Sequence, residues 1–178
     1  MFNKKIFIKN YREVTLSLKR KNKMENLDNR EVLNKEIDLI QGCINRMAQN
    51  SFIIKGWLIS LIAVVLTLLP ENFEIKWLCV VGLLITICFW YLDGYFLKVE
   101  RLFRWKYEWV IVRRLDTDKW YYDLNPYNKE MWLINSDGTE KKIPKTMEVM
   151  FSKTLLPIYI PNIIVIIFLL INSYMNFI

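Results

Sequence analysis

Two long apolar stretches lie close together in the first half of this chain. Residues 52–69 and 77–92 are almost entirely hydrophobic, and only the seven residues 70–76 separate them. As helices, stretches of this size have about the length needed to cross a hydrocarbon core of roughly 30 Å. So short a connection returns the second helix alongside the first. The sequence therefore predicts a membrane hairpin whose two outer ends lie on the same side of the bilayer.

Basic residues are distributed unevenly around this hairpin. Residues 1–51 contain 11 Lys and Arg, residues 93–153 contain 12, the connection contains only Lys76, and none follows Lys153. Cytoplasmic segments of membrane proteins carry such an excess of Lys and Arg. Residues 1–50 also lack an apolar core followed by a small-residue cleavage site, so they do not resemble a signal peptide. We expect a membrane protein with its N-terminus in the cytoplasm and the connection outside.

The composition argues against most enzymes. The chain has no histidine, five glycines and three cysteines, and the absent histidine removes the commonest general base and metal ligand. The glycines are not spaced as a phosphate-binding loop, and Cys43, Cys79 and Cys88 have no zinc-site spacing. We therefore predict no enzyme activity, cofactor or metal site. A membrane-associated hydrolase that uses carboxylates is the least favoured of the functions considered.

Four segments follow from the pattern along the chain. Residues 1–28 form a basic cytoplasmic arm, in which the run 19–23 either attracts anionic lipid or is a solvated arm. From Asp28 the apolar residues recur at helical spacing, so residues 29–115 are predicted to be a helical hairpin that extends out of the membrane into the cytoplasm.

The remaining two segments differ sharply from each other. Residues 116–153, rich in aromatic and turn residues, are predicted to form a small cytoplasmic cap, with strands at 131–134 and 141–143 around a turn. Residues 154–178 form an apolar C-terminal helix. This helix is interpreted as a third span, with a re-entrant or surface-packed helix as the alternative because Pro157 and Pro161 lie near its start.

Depth in the hairpin predicts which charges meet. With the turn centred near residue 73, Lys55 lies within a helical turn of Asp93, Arg46 lies level with Glu100, and Asn45 with Arg101. An ionisable group at the membrane edge is costly unless it is paired or faces water. These pairs either hold the hairpin in register or surround an aqueous passage in an assembly of several copies.

Other residues near these pairs are predicted to join the same pore, gating or assembly cluster. Asn50 and Ser51 can bond between helices, and Arg104 lies one turn beyond Glu100. Gly42 and Gly56 are expected to be hinges or points of close helix contact. Three tryptophans near the predicted membrane boundaries are interpreted as interfacial anchors, and four in the cytoplasmic part as core or subunit contacts: Trp57, Trp77 and Trp90 in the first group, and Trp105, Trp109, Trp120 and Trp132 in the second.

The same residues carry a resemblance to a known family. The block over residues 41–57, with Leu92, Asp93 and residues 100–104, resembles the RipA-like family of octameric bacterial membrane proteins, which includes the membrane accessory protein of type VI CRISPR systems. The residues that carry it are Gln41, Gly42, Ile44, Asn45, Arg46, Met47, Ala48, Asn50, Ser51, Phe52, Lys55, Gly56, Trp57, Leu92, Asp93, Glu100, Arg101, Leu102, Phe103 and Arg104.

This resemblance implies a homo-octameric pore in the bacterial inner membrane. It also implies an accessory role in antiviral defence, by permeabilising or depolarising the membrane, with an RNA-guided CRISPR effector as a functional partner. An Arg-x4-His ribonuclease pair is ruled out because the chain has no histidine. The leading prediction is an α-helical integral membrane protein that assembles into a homo-oligomeric ring and acts as a gated pore. The alternative is a non-conducting anchor or scaffold that recruits a cytoplasmic partner, and in either case membrane lipids surround the chain.

Overall fold

The fold is built on two long helices. A computed structural model of the chain describes residues 2–68, 75–117 and 119–175. Helix α1 is Phe2–Leu68 and helix α2 is Ile75–Arg113. Pro70 follows the end of α1, where a residue that cannot continue a helix is common. A 3₁₀ turn, Arg114–Asp116, ends α2, and a second one is Lys129–Met131. The chain then forms a short helix α3, Thr146–Met150, and a final helix α4, Leu156–Met175.

Helix α2 is the centre of the structure, because it packs against α1, α3 and α4. Two apolar clusters fill these contacts. One lies between α1, the C-terminal half of α2 and the cap, and includes Ile40, Phe103 and Met131. The other lies where α1, α2 and the start of α4 meet, and includes Leu58 and Tyr159. The molecule thus has one core in its predicted cytoplasmic part and another at the predicted membrane edge.

The predicted membrane character is supported by the helices themselves. Among the residues that the structure describes, three helical segments are long and apolar enough to cross a membrane: Asp28–Val64, Lys76–Asp116 and Leu156–Met175. The prediction of an α-helical protein with two long hairpin helices and an apolar C-terminal helix is confirmed. Helix α4 continues through Pro161, and the nearby Asn162 amide donates to the Ile158 carbonyl oxygen at 2.8 Å.

Two expectations about local structure were wrong. Helix α1 begins at Phe2 and not near Asp28, because no proline or glycine interrupts residues 2–41. The predicted strands at 131–134 and 141–143 are absent from the described residues, although the turn between them is present, with Gly138 donating to the Asn135 oxygen at 2.9 Å. A two-stranded hairpin is only marginally stable by itself. Here Met131 is instead buried in the core against the long helices.

Candidate functional site

A buried carboxylate joins three helices at the predicted cytoplasmic edge of the membrane. Ser51 and Lys55 are one turn apart on α1, Asp93 is on α2, and Tyr159 is on α4. The Lys55 ammonium lies 2.7 Å from Asp93 Oδ2, and the Tyr159 hydroxyl donates to the same oxygen at 2.9 Å. Ser51 donates to Asp93 Oδ1. We call these four residues the Asp93 cluster.

Burial makes the ion pair in the Asp93 cluster important for the stability of the folded protein. Asp93 is 0% exposed and the Lys55 side chain is 19% exposed. Lys55 also donates to the Ser51 hydroxyl at 2.6 Å, so each polar group in the cluster has a partner. A buried ion pair is strongly destabilised when one member is removed, because the other charge is left uncompensated. In this conformation Asp93 holds helices together and does not line an open passage.

The predicted contact between Lys55 and Asp93 is confirmed, but the predicted pair deeper in the cytoplasm is not. Glu100 forms its ion pair with Arg104, one turn along α2, at 2.7 Å. Arg46 is exposed and donates to Cys43 Sγ at 3.4 Å. An i,i+4 partner on the same helix is always within reach, whereas a level partner on another helix must also point across the seam.

The other predicted cluster residues lie apart from Asp93. Asn45 is exposed, whereas Asn50 and Arg101 are half-buried. None of these three residues forms a hydrogen bond or an ion pair with the described residues of the Asp93 cluster. They lie on the predicted cytoplasmic side of the hairpin. Of the neighbouring polar residues 49–51, only Ser51 reaches the buried carboxylate.

Close helix contact within the chain occurs at a glycine that was not predicted. A methyl group built on Gly42 or Gly56 meets no described atom within 4 Å, so the described residues make no close contact at these two positions. At Gly94 the same methyl group would lie 2.7 Å from Met150 Cγ. Gly94 therefore lets α3 pack directly on the backbone of α2, one residue after Asp93.

Trp90 fixes the neighbouring α3 and α4 to α2. Its indole stacks on Tyr159 with ring centres 5.7 Å apart, and its Nε1 donates to the Met150 carbonyl oxygen at 2.9 Å. Trp90 is buried, so its interpretation as a membrane-interface anchor was wrong. Trp57 and Trp77 are exposed, as anchors facing lipid require.

A second buried ion pair ties the cap to the hairpin. Arg114, at the end of α2, forms a two-pronged pair with Glu36 of α1 through Nε and, at 2.9 Å, through Nη2. Its remaining N–H groups donate to the carbonyl oxygens of Lys119 at 2.6 Å and Trp120 at 3.0 Å. Glu36 accepts in addition from the Tyr122 backbone N–H at 2.6 Å. We call this arrangement the Arg114 clamp.

The Arg114 clamp holds a loop of unusual conformation. Trp120 and Tyr122 have φ values of 64° and 53°, in the left-handed region that bulky side chains rarely adopt. Because both residues give a backbone group to the clamp, the clamp compensates for this strain. The loop presents three partly exposed aromatic side chains, Trp120, Tyr121 and Tyr122.

Nearby, a fully buried lysine holds the next part of the cap. The Lys106 ammonium lies 3.3 Å from Asp123 Oδ2 and donates to the Asn125 oxygen at 3.0 Å. Burial acts to raise the pKa of Asp123, but hydrogen bonds from the Asn128 amide and the Asn125 N–H, together with the Lys106 charge, outweigh it and hold the pKa below its usual range. Asp123 is therefore ionised in the folded cap.

Sequence reasoning missed Tyr159, Trp90, Gly94 and both groups of buried charges that hold the cap. The register of the hairpin does bring Glu36 near the level of Arg114, and this was the signal available for that pair. Tyr159 belongs to a helix whose position relative to the hairpin has no sequence signal. In the described part of the chain, no group of three or more Cys, Asp or Glu residues is arranged to hold a metal ion.

Comparisons of this chain with protein-family models, with curated proteins and with solved structures find no match.

Proposed function

We propose that this chain is the subunit of a homo-oligomeric pore in the bacterial inner membrane, with its N-terminus in the cytoplasm. The observation that carries the proposal is the outer face of α1, the face turned away from α2. This face is polar where it meets the cytoplasm and lined with small residues inside the predicted span. Small residues inside the span suit close contact with another helix, and polar residues at its cytoplasmic end suit contact with water.

The small residues on this face suit contact with a second copy. Gly56 and Ser60 lie one turn apart and are exposed in the single chain, and no atom of the residues that the structure describes lies within 4 Å of a methyl group built on Gly56. Within membranes, pairs of small residues at this spacing let helix backbones approach closely. The open surface at Gly56 therefore supports a helix of a neighbouring subunit packing there.

The polar residues on the same helix suit the mouth of an aqueous passage. Asn45, Arg46 and Gln49 are exposed on the cytoplasmic side of the predicted span. Rings of charged side chains at a pore mouth select ions by their charge. In a ring of subunits, Arg46 would supply such a positive ring. The Asp93 cluster would fix the shape of each subunit and, through Lys55, respond when α1 moves relative to α2.

The resemblance of residues 41–57 and 92–104 to the RipA-like family supports the same assembly and extends it to a biological role. On that basis we propose an octamer that strengthens antiviral defence by permeabilising or depolarising the inner membrane. Its partner would be an RNA-guided CRISPR effector, linked by function and not necessarily by contact.

Conductance and particle size together test the pore. We expect the detergent-purified protein to form a ring with an axial hole in particle images and to pass ions in planar bilayers. Gly56→Leu should dissociate the ring, whereas Ile59→Leu, at an exposed position of α1 away from the line of Gly56 and Ser60, should leave it intact. An intact oligomer that never passes ions would exclude the pore.

A charge reversal tests whether Arg46 lines the passage. In an asymmetric salt gradient, Arg46→Glu should shift the reversal potential toward cation selectivity. Arg30→Glu reverses an exposed charge on the same helix, 16 residues farther from the membrane, and should change it little. Equal effects of the two variants would show that Arg46 is not at the mouth.

One observation favours the alternative, a non-conducting scaffold. The Arg114 clamp presents Trp120, Tyr121 and Tyr122 at the cytoplasmic end of the hairpin, and aromatic residues are enriched where proteins bind each other. A scaffold predicts that aromatic substitutions in this loop abolish function while the purified protein passes no ions.

A further inference from the structure

Helix α3 and the residues that flank it, 145–153, carry two exposed apolar side chains between two lysines. Met147 is 55% exposed and Phe151 is 56% exposed, and their spacing of four residues places them on the same side of the turn. Lys145 and Lys153, at the two ends, are also exposed. We call residues 145–153 the interfacial turn.

Packing fixes the depth of the interfacial turn. Met150 sits on Gly94 of α2, so closely that a methyl group on Gly94 would lie 2.7 Å from its Cγ. The Trp90 indole donates to the Met150 oxygen at 2.9 Å and meets the Phe151 ring edge-on at 5.1 Å. Residues 90–94 are the cytoplasmic end of the second apolar stretch. The turn therefore lies at the level where hydrocarbon gives way to headgroups.

We propose that the interfacial turn is a binding surface for anionic lipid in the cytoplasmic leaflet. Met147 and Phe151 lie at the acyl boundary, and Lys145 and Lys153 bind lipid phosphates. Lysine stems can lie along apolar surface while the ammonium reaches the headgroups. The one acidic residue of this segment, Glu148, accepts a hydrogen bond from the Lys145 backbone N–H at 3.1 Å, and its two lysines outnumber this carboxylate.

Continuity with α4 favours lipid over a protein as the occupant. Helix α4 follows the turn directly and exposes Ile160, Ile164 and Phe168 at successive turns. This apolar stripe belongs to a helix with the length and composition to cross a membrane. An apolar pair at its cytoplasmic end, bordered by lysines, matches the succession of acyl chains and headgroups that such a helix meets.

Spin-label accessibility tests where Phe151 lies. The full chain, with Cys43→Ala, Cys79→Ala and Cys88→Ala, carries a nitroxide at Phe151→Cys and is reconstituted in vesicles of phosphatidylcholine and phosphatidylglycerol. We expect molecular oxygen to relax this label more than a water-soluble nickel complex does. A label at Ile134→Cys, an exposed apolar position of the cap, should show the opposite order.

Two results would overturn the proposal. A label at position 151 that the nickel complex relaxes as strongly as the label at position 134 would place the turn in water. A label shielded from both reagents would mean that a second copy or another protein covers the turn. Neither readout depends on ion conduction, so the proposal stands or fails separately from the pore.

Lipid selectivity tests the lysines. Association of spin-labelled phosphatidylglycerol with the reconstituted protein should fall by up to about fivefold in Lys145→Gln and in Lys153→Gln. Lys129→Gln removes an exposed charge in the cap and should leave the association unchanged. Selectivity that is unaffected by the two variants, or equally affected by all three, would contradict a headgroup site at this turn.

Discussion

Two buried ion pairs in the described part of the chain, those of the Asp93 cluster and the Arg114 clamp, hold different kinds of structure. In the Asp93 cluster, side chains of three helices meet at one carboxylate, and hydroxyl groups supply two of its hydrogen bonds. In the Arg114 clamp, one guanidinium uses its donors on a carboxylate and on backbone oxygens of a loop. The first joins regular elements, and the second replaces the regular structure that the loop lacks.

This difference determines what each pair contributes. Helices α1 and α2 also pack through apolar side chains along their length. The main contribution of the Asp93 cluster is therefore to fix the register of the two helices. The described residues of this loop, 117 and 119–122, form no ladder of backbone bonds. Its backbone groups therefore depend on Arg114 and Glu36. Loss of the first pair should weaken the whole bundle, whereas loss of the second should release the cap locally.

The largest effect is expected at Lys55. Lys55→Met leaves the buried Asp93 carboxylate without its charged partner, and the free energy of unfolding should fall by about 3–5 kcal/mol. Adding Asp93→Asn removes the stranded charge and should recover part of the loss. Unfolding in mixed micelles, followed by circular dichroism, measures both variants.

A charge swap sharpens this first test. Lys55→Ala and Asp93→Ala should each impair assembly, and Lys55→Asp combined with Asp93→Lys should restore it in part. The absence of any recovery in the swapped and the neutral double variants would mean that the two side chains do not depend on each other.

The next effect concerns the Arg114 clamp. Arg114→Lys keeps the charge but loses the two-pronged geometry and most of the backbone contacts, so amide exchange of residues 117–123 should accelerate about 10- to 100-fold, or roughly 1.4–2.8 kcal/mol. Arg113→Lys changes the exposed neighbour and should have little effect. An equal acceleration of amide exchange throughout α1 and α2 would contradict a role of Arg114 that is confined to the cap.

These two pairs also mark how far the sequence could predict the structure. The length of the apolar stretches predicts the hairpin. Helix geometry predicts the contact between Lys55 and Asp93, since rigid helices carry a register over many residues. The link from Arg114 to Glu36 obeys the same register. This pair was not predicted because the hairpin contains many residues of opposite charge at similar levels.

The cap and the third helix were less predictable for a physical reason. Residues 117–132 take their shape from buried side chains that bond to backbone groups, and no periodicity in the sequence encodes such contacts. Tyr159 and Met150 reach the hairpin only because Gly94 and Trp90 give them a place to pack. Gly42 and Gly56 were predicted to be hinges or close contacts because they lie next to polar motifs. The contact at Gly94 depends on a distant segment.

A smaller effect is expected at the glycines. Gly94→Ala forces its methyl group against Met150 and should lower the free energy of unfolding by about 1–3 kcal/mol. Gly42→Ala adds a methyl group in open space and should raise it by up to about 1 kcal/mol, since alanine favours a helix. Thermal unfolding in detergent compares the two, and a neutral Gly94→Ala would mean that α3 does not pack as described.

The smallest effect is a pH dependence in the cap. The pKa of Asp123 is lower in the folded protein than in the unfolded chain, because the favourable contacts with Asn128, Asn125 and Lys106 outweigh the cost of burial. A lowered folded pKa adds stability above the unfolded value of about 3.9, and this stability is lost as the pH falls through the folded value. The difference in free energy of unfolding between the natural protein and Asp123→Asn should therefore be constant from pH 7 to 5 and shrink below pH 4. A difference that grows on acidification would contradict the sign of the shift, and would mean that the pair between Lys106 and Asp123 does not hold the cap in its ionised form.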